Sequence, residues 1–342
     1  MQNSLRILVT GGAGYIGSHT SQLLCNSKHD VVVLDNLYSG HRWAVPEAAE
    51  FVEGDCADRA LVADLHRRFQ FDAVIHFAGY VVVPESVSHP ERYYRNNVIA
   101  SLNLIEQVRE SGIRHIVFSS SAAVYGLPQI LPATENSPTE PINPYGRSKL
   151  ITEWTLKDLA HAASLADQQP FRFAALRYFN VAGAALDGSI GQATPNATHL
   201  IKVACETAVG RRESMRVFGT DYDTPDGTCI RDYIHVMDLA DAHLRAIEYL
   251  AGGGESGIFN CGYGRGFSVY QVIDAVRKAS GREVNAIDSP RRPGDPATVV
   301  ADNSLIRERL GWTPKYQDLD LICQSAWDWE CKLQNMGQGM PD

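Results

Sequence analysis

Positive charge is in short supply along this chain: 31 lysines and arginines stand against 40 aspartates and glutamates, for a formal charge of −9. The cations are also scattered, so no surface is built for a phosphate backbone, and no nucleic-acid partner is expected. Apolar runs of bilayer length are absent, and the first short one, Ile7-Leu8-Val9, meets Gly11-Gly12 too soon for a signal peptide. No membrane association is expected. The seven cysteines (Cys25, Cys56, Cys205, Cys229, Cys261, Cys323 and Cys331) are odd in number and form no CxxC pair, which argues against a disulfide framework or a zinc site. His76, His115 and His235 have no second ligand at metal spacing, so they read as structural histidines, and no metal is expected. These absences leave a cytoplasmic chain of 342 residues whose 44% hydrophobic content supports one large or two moderate domains.

What is present, first, is alternation. Arg6–Thr10, Asp30–Asp35, Glu50–Asp55, Phe71–Ala78, His115–Ser121 and Phe171–Phe179 are short runs rich in Val, Ile and Phe, separated by segments of helical length such as Tyr15–Ser27, Arg59–Phe69 and Tyr93–Glu110. Parallel strands need crossover connections, so the pattern predicts an α/β, Rossmann-like doubly wound parallel sheet. From about Val181 the signals are more broken, with glycine-rich loops at Gly252–Gly254 and Gly262–Gly266. This predicts a dinucleotide-binding domain over 1–180 and a smaller α/β substrate domain over 181–342, with the site in the cleft between them. Along Val236–Leu250 the apolar residues follow helical spacing and read as core.

The first strand-to-helix turn reads Val9-Thr-Gly-Gly-Ala-Gly-Tyr-Ile-Gly17, with Gly11, Gly14 and Gly17 at three-residue spacing. Glycines there permit a tight turn, a close approach of backbone to pyrophosphate, and close packing of the helix on the sheet. Asp35 ends the second strand 21 residues after Gly14, the spacing of a ribose-binding carboxylate. No arginine follows it, the next residues being Asn36-Leu37-Tyr38-Ser39, so NAD is expected over NADP.

In Asn143-Pro-Tyr-Gly-Arg-Ser-Lys149, a phenol and an ammonium stand four residues apart on a helix that Asn143 caps and Pro144 begins. At that spacing the lysine can hold the Tyr145 hydroxyl near its ionised form and make it a proton acceptor. Phe118-Ser-Ser-Ser121 ends the fifth strand with poor strand formers, which places hydroxyls at the carboxyl edge of the sheet, where ligands of such sheets bind. Ser121, Tyr145 and Lys149 together suit hydride chemistry at a carbinol carbon.

These blocks, with Val52-Glu-Gly-Asp55, Ile75-His-Phe-Ala-Gly79, Asn96-Asn97, Leu176-Arg-Tyr-Phe-Asn-Val181, the stretch from Asp226 to Asp241 and Arg291-Arg-Pro-Gly-Asp295, resemble the extended short-chain dehydrogenase/reductases. Within them the chain is similar to the UDP-glucose (UDP-galactose) 4-epimerases, from Gly11 to about Asp302. The resemblance implies Tyr15 and Ile16 along the pyrophosphate of NAD, Asp35, Asn36 and Ser39 at the adenosine ribose, and Asp55 and Cys56 at the adenine. Phe77, Ala78, Gly79, Asn96, Ser121, Tyr145, Lys149 and Phe179 complete the implied cofactor site. On the UDP-sugar side it implies Asn180, Leu200, Val217, Phe218, Arg231, Tyr233, Arg292 and Asp295 at uracil, ribose or diphosphate. The guanidinium forks suit phosphate oxygens. Arg211 and Arg212 instead read as a solvated charge pair. A homodimer is implied as well.

Related dehydratases carry an Asp-Glu pair, and related decarboxylases a glutamate, where this chain has Ala122 and Ala123, so 4-epimerisation is preferred over elimination. UDP-pentose epimerisation and a non-catalytic NAD-binding regulator are the other readings. Three positions depart from the family pattern. Val81 replaces a common lysine, His199 replaces a common asparagine, and Val299 stands where hexose-restricted members place tyrosine, leaving room for an N-acetyl group.

Overall fold

Six strands of the first half, β1 (Arg6–Thr10), β2 (Asp30–Asp35), β3 (Glu50–Glu53), β4 (Ala73–His76), β5 (His115–Ser119) and β6 (Arg172–Tyr178), alternate with helices that include Tyr15–Asn26, Arg59–Phe69, Ala100–Glu110 and Pro144–Leu165. The structure is a computed structural model that describes residues 4–165, 170–195, 197–292 and 294–336. The second half adds β7 (Asn180–Ala182), β8 (Met215–Phe218), β9 (Ile230–His235), β10 (Gly257–Cys261), β11 (Gly266–Ser268), β12 (Ala286–Ser289) and β13 (Thr298–Val299). Among the described residues no helix is long and apolar enough to cross a membrane.

Seven strands form one sheet in the order β3-β2-β1-β4-β5-β6-β10, and every pairing in it is parallel. Ile7 and Val9 of β1 enter the core on one face and Leu8 the core on the other, which is why these strands are apolar throughout. This is the expected α/β doubly wound fold. Its connections reverse direction at β1 and β4, opening a crevice at their carboxyl ends.

The second lobe holds β11-β9-β13 with β7 also on β9, the pair β8-β12, and the helices Leu200–Ala208, Val269–Ser280 and Leu319–Met336 around their own core. The chain passes between the lobes more than once beyond residue 180. After β9 the chain returns through Val236–Ala251, packed in the first core, and adds β10 beside β6 before crossing back. The stretch 93–110 also differs from an unbroken helix, since Tyr94–Ile99 forms a π-helical turn between two α-helical pieces.

Candidate active site

A cleft of about 980 Å³ runs along the carboxyl edge of the large sheet and under the second lobe. The helix Pro144–Leu165 starts at its wall. Asn143 Oδ1 accepts the Gly146 N–H at 2.8 Å, the cap read from the sequence. A Cβ at Gly146 would lie 2.6 Å from the Ala123 carbonyl, so glycine lets this helix approach the turn after β5. Ser121 caps that turn, Ala122–Tyr125, its Oγ accepting the Ala123 N–H at 3.1 Å. The strand therefore ends at Ser119, not Ser121. Burial pushes the Tyr145 phenol up from its ordinary value, and the Ser121 hydroxyl beside it pulls the other way.

Lys149 departs from the expected geometry. Its Nζ donates to the Ser119 carbonyl at 2.8 Å and lies 6.0 Å from the centre of the Tyr145 ring, behind the cleft wall. Burial lowers it to about 8, opposed by the Glu153 carboxylate. The ammonium thus sits at the base of the site, one helical turn from Tyr145.

The glycine turn fits a dinucleotide. Gly11 has a φ of +74°, and a Cβ there would sit 2.5 Å from the Ala78 backbone nitrogen. At Gly17 a Cβ would meet the Gly11 carbonyl at 2.2 Å, while at Gly14 its nearest neighbour is 3.3 Å away, facing the cleft. The helix Tyr15–Asn26 has no capping side chain and no acid in its first turn, which leaves its amino end open to a phosphate. Asp35 is buried, with one oxygen on the Ala13 N–H at 2.9 Å and the other on the Leu37 N–H at 2.8 Å. Each oxygen keeps a lone pair for a ribose hydroxyl. Asn36, Ser39, Asp55, Cys56, Phe77, Ala78, Gly79, Asn96 and Phe179 line the same side of the cleft with Tyr15 and Ile16.

On the opposite side lie Asn180, His199, Leu200, Phe218, Arg231, Tyr233, Arg292, Asp295 and Val299. His199 begins the uncapped helix Leu200–Ala208, and its Nδ1 is 2.8 Å from Gln192 Nε2. Arg231 pairs with Asp295, and the Arg292 guanidinium stacks 3.9 Å over the Phe218 ring, which holds its fork in place.

Two expectations fail here. The Val217 side chain points into the second core, because strand residues alternate and its neighbours Arg216 and Phe218 take the cleft side. Arg211 and Arg212 are not a solvated pair: Arg211 binds buried Glu330 at 2.8 Å, while Arg212 binds Glu206 and lines the cleft. Tyr38 and Tyr80, whose rings are tilted against each other with centres 4.7 Å apart, also line the cleft, as do Thr194, Ser214 and Arg216, none of which the sequence singles out. From the π-helical turn, the Asn97 amide clasps both backbone groups of Tyr80, at 2.8 and 2.9 Å. His76 and His235 are the structural histidines expected, with both ring nitrogens of each hydrogen-bonded.

Known proteins are similar to this chain in sequence and fold. The model of the NAD dependent epimerase/dehydratase family matches residues 7–262. A UDP-glucose 4-epimerase of Azospirillum brasilense is 54% identical over 336 residues, 98% of this chain and 95% of that protein. The crystal structure of UDP-glucose 4-epimerase from Brucella ovis in complex with NAD is 45% identical, with a TM-score of 0.91 over 95% of this chain and 98% of that one. The UDP-Glc/GlcNAc 4-epimerase of Campylobacter jejuni is 49% identical, with a TM-score of 0.84 over 96% and 100%. With the glycine turn, Asp35 and the Ser121, Tyr145 and Lys149 group in place, the chain belongs to the NAD-dependent epimerase/dehydratase family, where it groups with the UDP-glucose 4-epimerases.

Proposed function

We propose that this protein interconverts the C4 epimers of UDP-hexoses, UDP-glucose and UDP-galactose, with NAD as its resident cofactor. The observation that carries this reading is the meeting, at one cleft, of the glycine turn with Asp35 and of Tyr145 with Ser121, opposite the arginines of the second lobe. Held along Gly11, Gly14 and Asp35, NAD would supply a reversible hydride acceptor for the sugar C4. Tyr145 removes and later returns the proton of the 4-hydroxyl, and Ser121 holds that oxygen by a hydrogen bond. Lys149 supports the phenolate as a buried cation.

For C4 to be inverted, its two faces must reach the same spot in turn. The site therefore holds UDP firmly and the hexose loosely. Firm hold falls to Arg231, Arg292, Asn180, Tyr233, Asp295, Phe218 and the amino end of Leu200–Ala208 beside His199. Ala122 and Ala123 supply no further acid or base in the cleft, in keeping with epimerisation and not elimination. Val299, which packs beside Phe179 and lines the cleft, leaves space for a 2-acetamido group, so UDP-GlcNAc and UDP-GalNAc are further substrates.

The test is proton NMR of UDP-galactose with purified protein. Conversion to UDP-glucose that disappears in Tyr145→Phe supports the reading; unchanged turnover in that variant sinks it. Lack of any turnover of UDP-GlcNAc would remove the N-acetyl assignment alone.

A cytoplasmic homodimer completes the proposal. None of the seven cysteines is paired, as in a reducing compartment. Ile99, Leu102 and Trp154 lie exposed on two neighbouring helices, an apolar face that a second copy would cover. Sedimentation equilibrium of the wild type beside Trp154→Glu checks this, since a dimer through that face dissociates in the variant.

A further inference from the structure

Three consecutive serines are matched to three residues of one helix. Tyr145, Lys149 and Glu153 stand four residues apart on Pro144–Leu165 and share a face against the end of β5. Tyr145 faces the Ser121 hydroxyl, Lys149 Nζ donates to the Ser119 carbonyl at 2.8 Å, and Ser120 Oγ donates to Glu153 Oε1 at 2.5 Å. The first two matches belong to the chemistry proposed above. The third does not reach the cleft: Ser120 and Glu153 are both buried behind it.

A carboxylate that is 1% exposed needs strong partners to stay charged. Arg177 of β6 supplies them, with Nε on Oε1 at 2.9 Å and Nη2 on Oε2 at 2.6 Å. Its Nη1 donates to the Tyr125 hydroxyl at 3.0 Å, and that hydroxyl donates to Asn260 Oδ1 on β10 at 2.6 Å. One ion pair thus joins the catalytic helix, the serine turn and two neighbouring strands.

We propose that Glu153 is a positioning residue for the reaction: through Ser120 it sets the serine turn against the helix, and its charge acts on the Lys149 ammonium one turn away, with Arg177 as its counter-ion. This rests on the reading of Tyr145 and Lys149 as the reacting pair. An ion pair that only stabilised the fold would be replaceable by apolar residues of similar volume. The contact with Ser120 and the closeness to Lys149 give this one a second task. Among the described residues, His76 on β4 feels the Lys149 charge, Tyr145 lies on its own helix with Tyr178 of β6 and Tyr93 of Pro90–Tyr93 beside that phenol, and Arg177 of β6 is paired with Glu153. Burial holds His76 neutral and raises all three phenols, so among these groups Glu153 is the anion that opposes loss of the lysine proton.

Three variants separate the tasks. Glu153→Gln keeps the length and the acceptor for Ser120 but removes the charge, Glu153→Asp keeps the charge and shortens the reach, and Ser120→Ala removes the contact alone. The readouts are kcat and KM for UDP-galactose and the pH profile of kcat, with thermal midpoint and NAD content as checks on folding. The alkaline limb of kcat reports the Lys149 proton. It is expected to move down by on the order of one pH unit in Glu153→Gln, with little change in KM. Ser120→Ala and Glu153→Asp are expected to lower kcat about tenfold with the limb in place. A folded Glu153→Gln protein whose alkaline limb does not move overturns the proposal, as does a Ser120→Ala enzyme with wild-type kcat. If Glu153→Gln does not fold, the kcat of Ser120→Ala decides alone. Failure of the underlying reading is distinguishable, because Tyr145→Phe would then turn over.

Discussion

Lys149→Met is expected to abolish turnover while sparing, or raising, stability at neutral pH. The ammonium is 3% exposed, and burial lowers its pKa from an ordinary 10.5 to about 8. In the unfolded chain the lysine titrates near its ordinary value, so between pH 8 and 10.5 the unfolded state binds more protons and stability rises with pH. Below pH 8 the lysine is charged in both states, and the native state carries the whole burial penalty, about 3 kcal/mol for a depression of this size. Methionine removes that penalty and also the hydrogen bond to the Ser119 carbonyl, a charged bond that contributes about 1.5–3 kcal/mol. The two effects nearly cancel at pH 7. Raising the pH to 10 then favours the wild type over the variant by about 2.5 kcal/mol, because only the wild type has a proton to lose. Urea unfolding of both proteins at pH 7 and pH 10, with matched NAD content, measures this directly. A stability gap that stays constant between the two pH values would refute the idea that Lys149 is held charged against its surroundings.

Gly17→Ala forces a Cβ to within 2.2 Å of the Gly11 carbonyl, so the purified variant is expected to lose its NAD while keeping its far-ultraviolet circular dichroism; full NAD content would count against the cradle. Arg292→Ala is expected to raise KM for UDP-galactose about tenfold with kcat within about threefold of wild type, since the proposed role of this guanidinium, stacked on Phe218, is to hold the diphosphate and not the reacting carbon. Burial holds His19 and His243 at about 4 and His76 and His235 at about 3. These folded values lie below the unfolded ones, so their contribution is complete above pH 6.5 and is lost as pH falls toward 4, by up to about 1.4 kcal/mol per pH unit for each histidine. A urea midpoint independent of pH between 7.5 and 5.5 would contradict this.

Much of the first lobe was legible because each signal was local. Apolar runs gave β1 to β6, Asn143 and Pro144 gave the start of the catalytic helix, and Gly11, Gly14, Gly17 and Asp35 gave the cofactor turn. What stayed hidden depends on contacts between distant residues. Nothing within Gly257–Cys261 says that it pairs with Arg172–Tyr178, so the return of the chain to the first sheet is not legible in the sequence. The phase of a four-residue strand such as Met215–Phe218 is set by the core it meets, which is why Val217 was given a cleft role that falls to its neighbours. Helical spacing put Tyr145 and Lys149 on one face, but the carbonyl of Ser119 decided where the ammonium points. The sequence neighbourhood of Arg212 shows only Arg211, whereas its ion-pair partner Glu206 and the cleft it lines are set by the fold.

The most direct measurement follows the C4 hydrogen itself. UDP-galactose carrying deuterium at C4 is incubated with the purified protein in ordinary water, and the UDP-glucose formed is read by NMR. A hydride that leaves C4 and returns without meeting solvent keeps the deuterium at C4 in the product. Product that carries solvent hydrogen at C4 after each turnover would contradict hydride return, and with it the assignment of Tyr145, Ser121 and the glycine turn to one reversible oxidation.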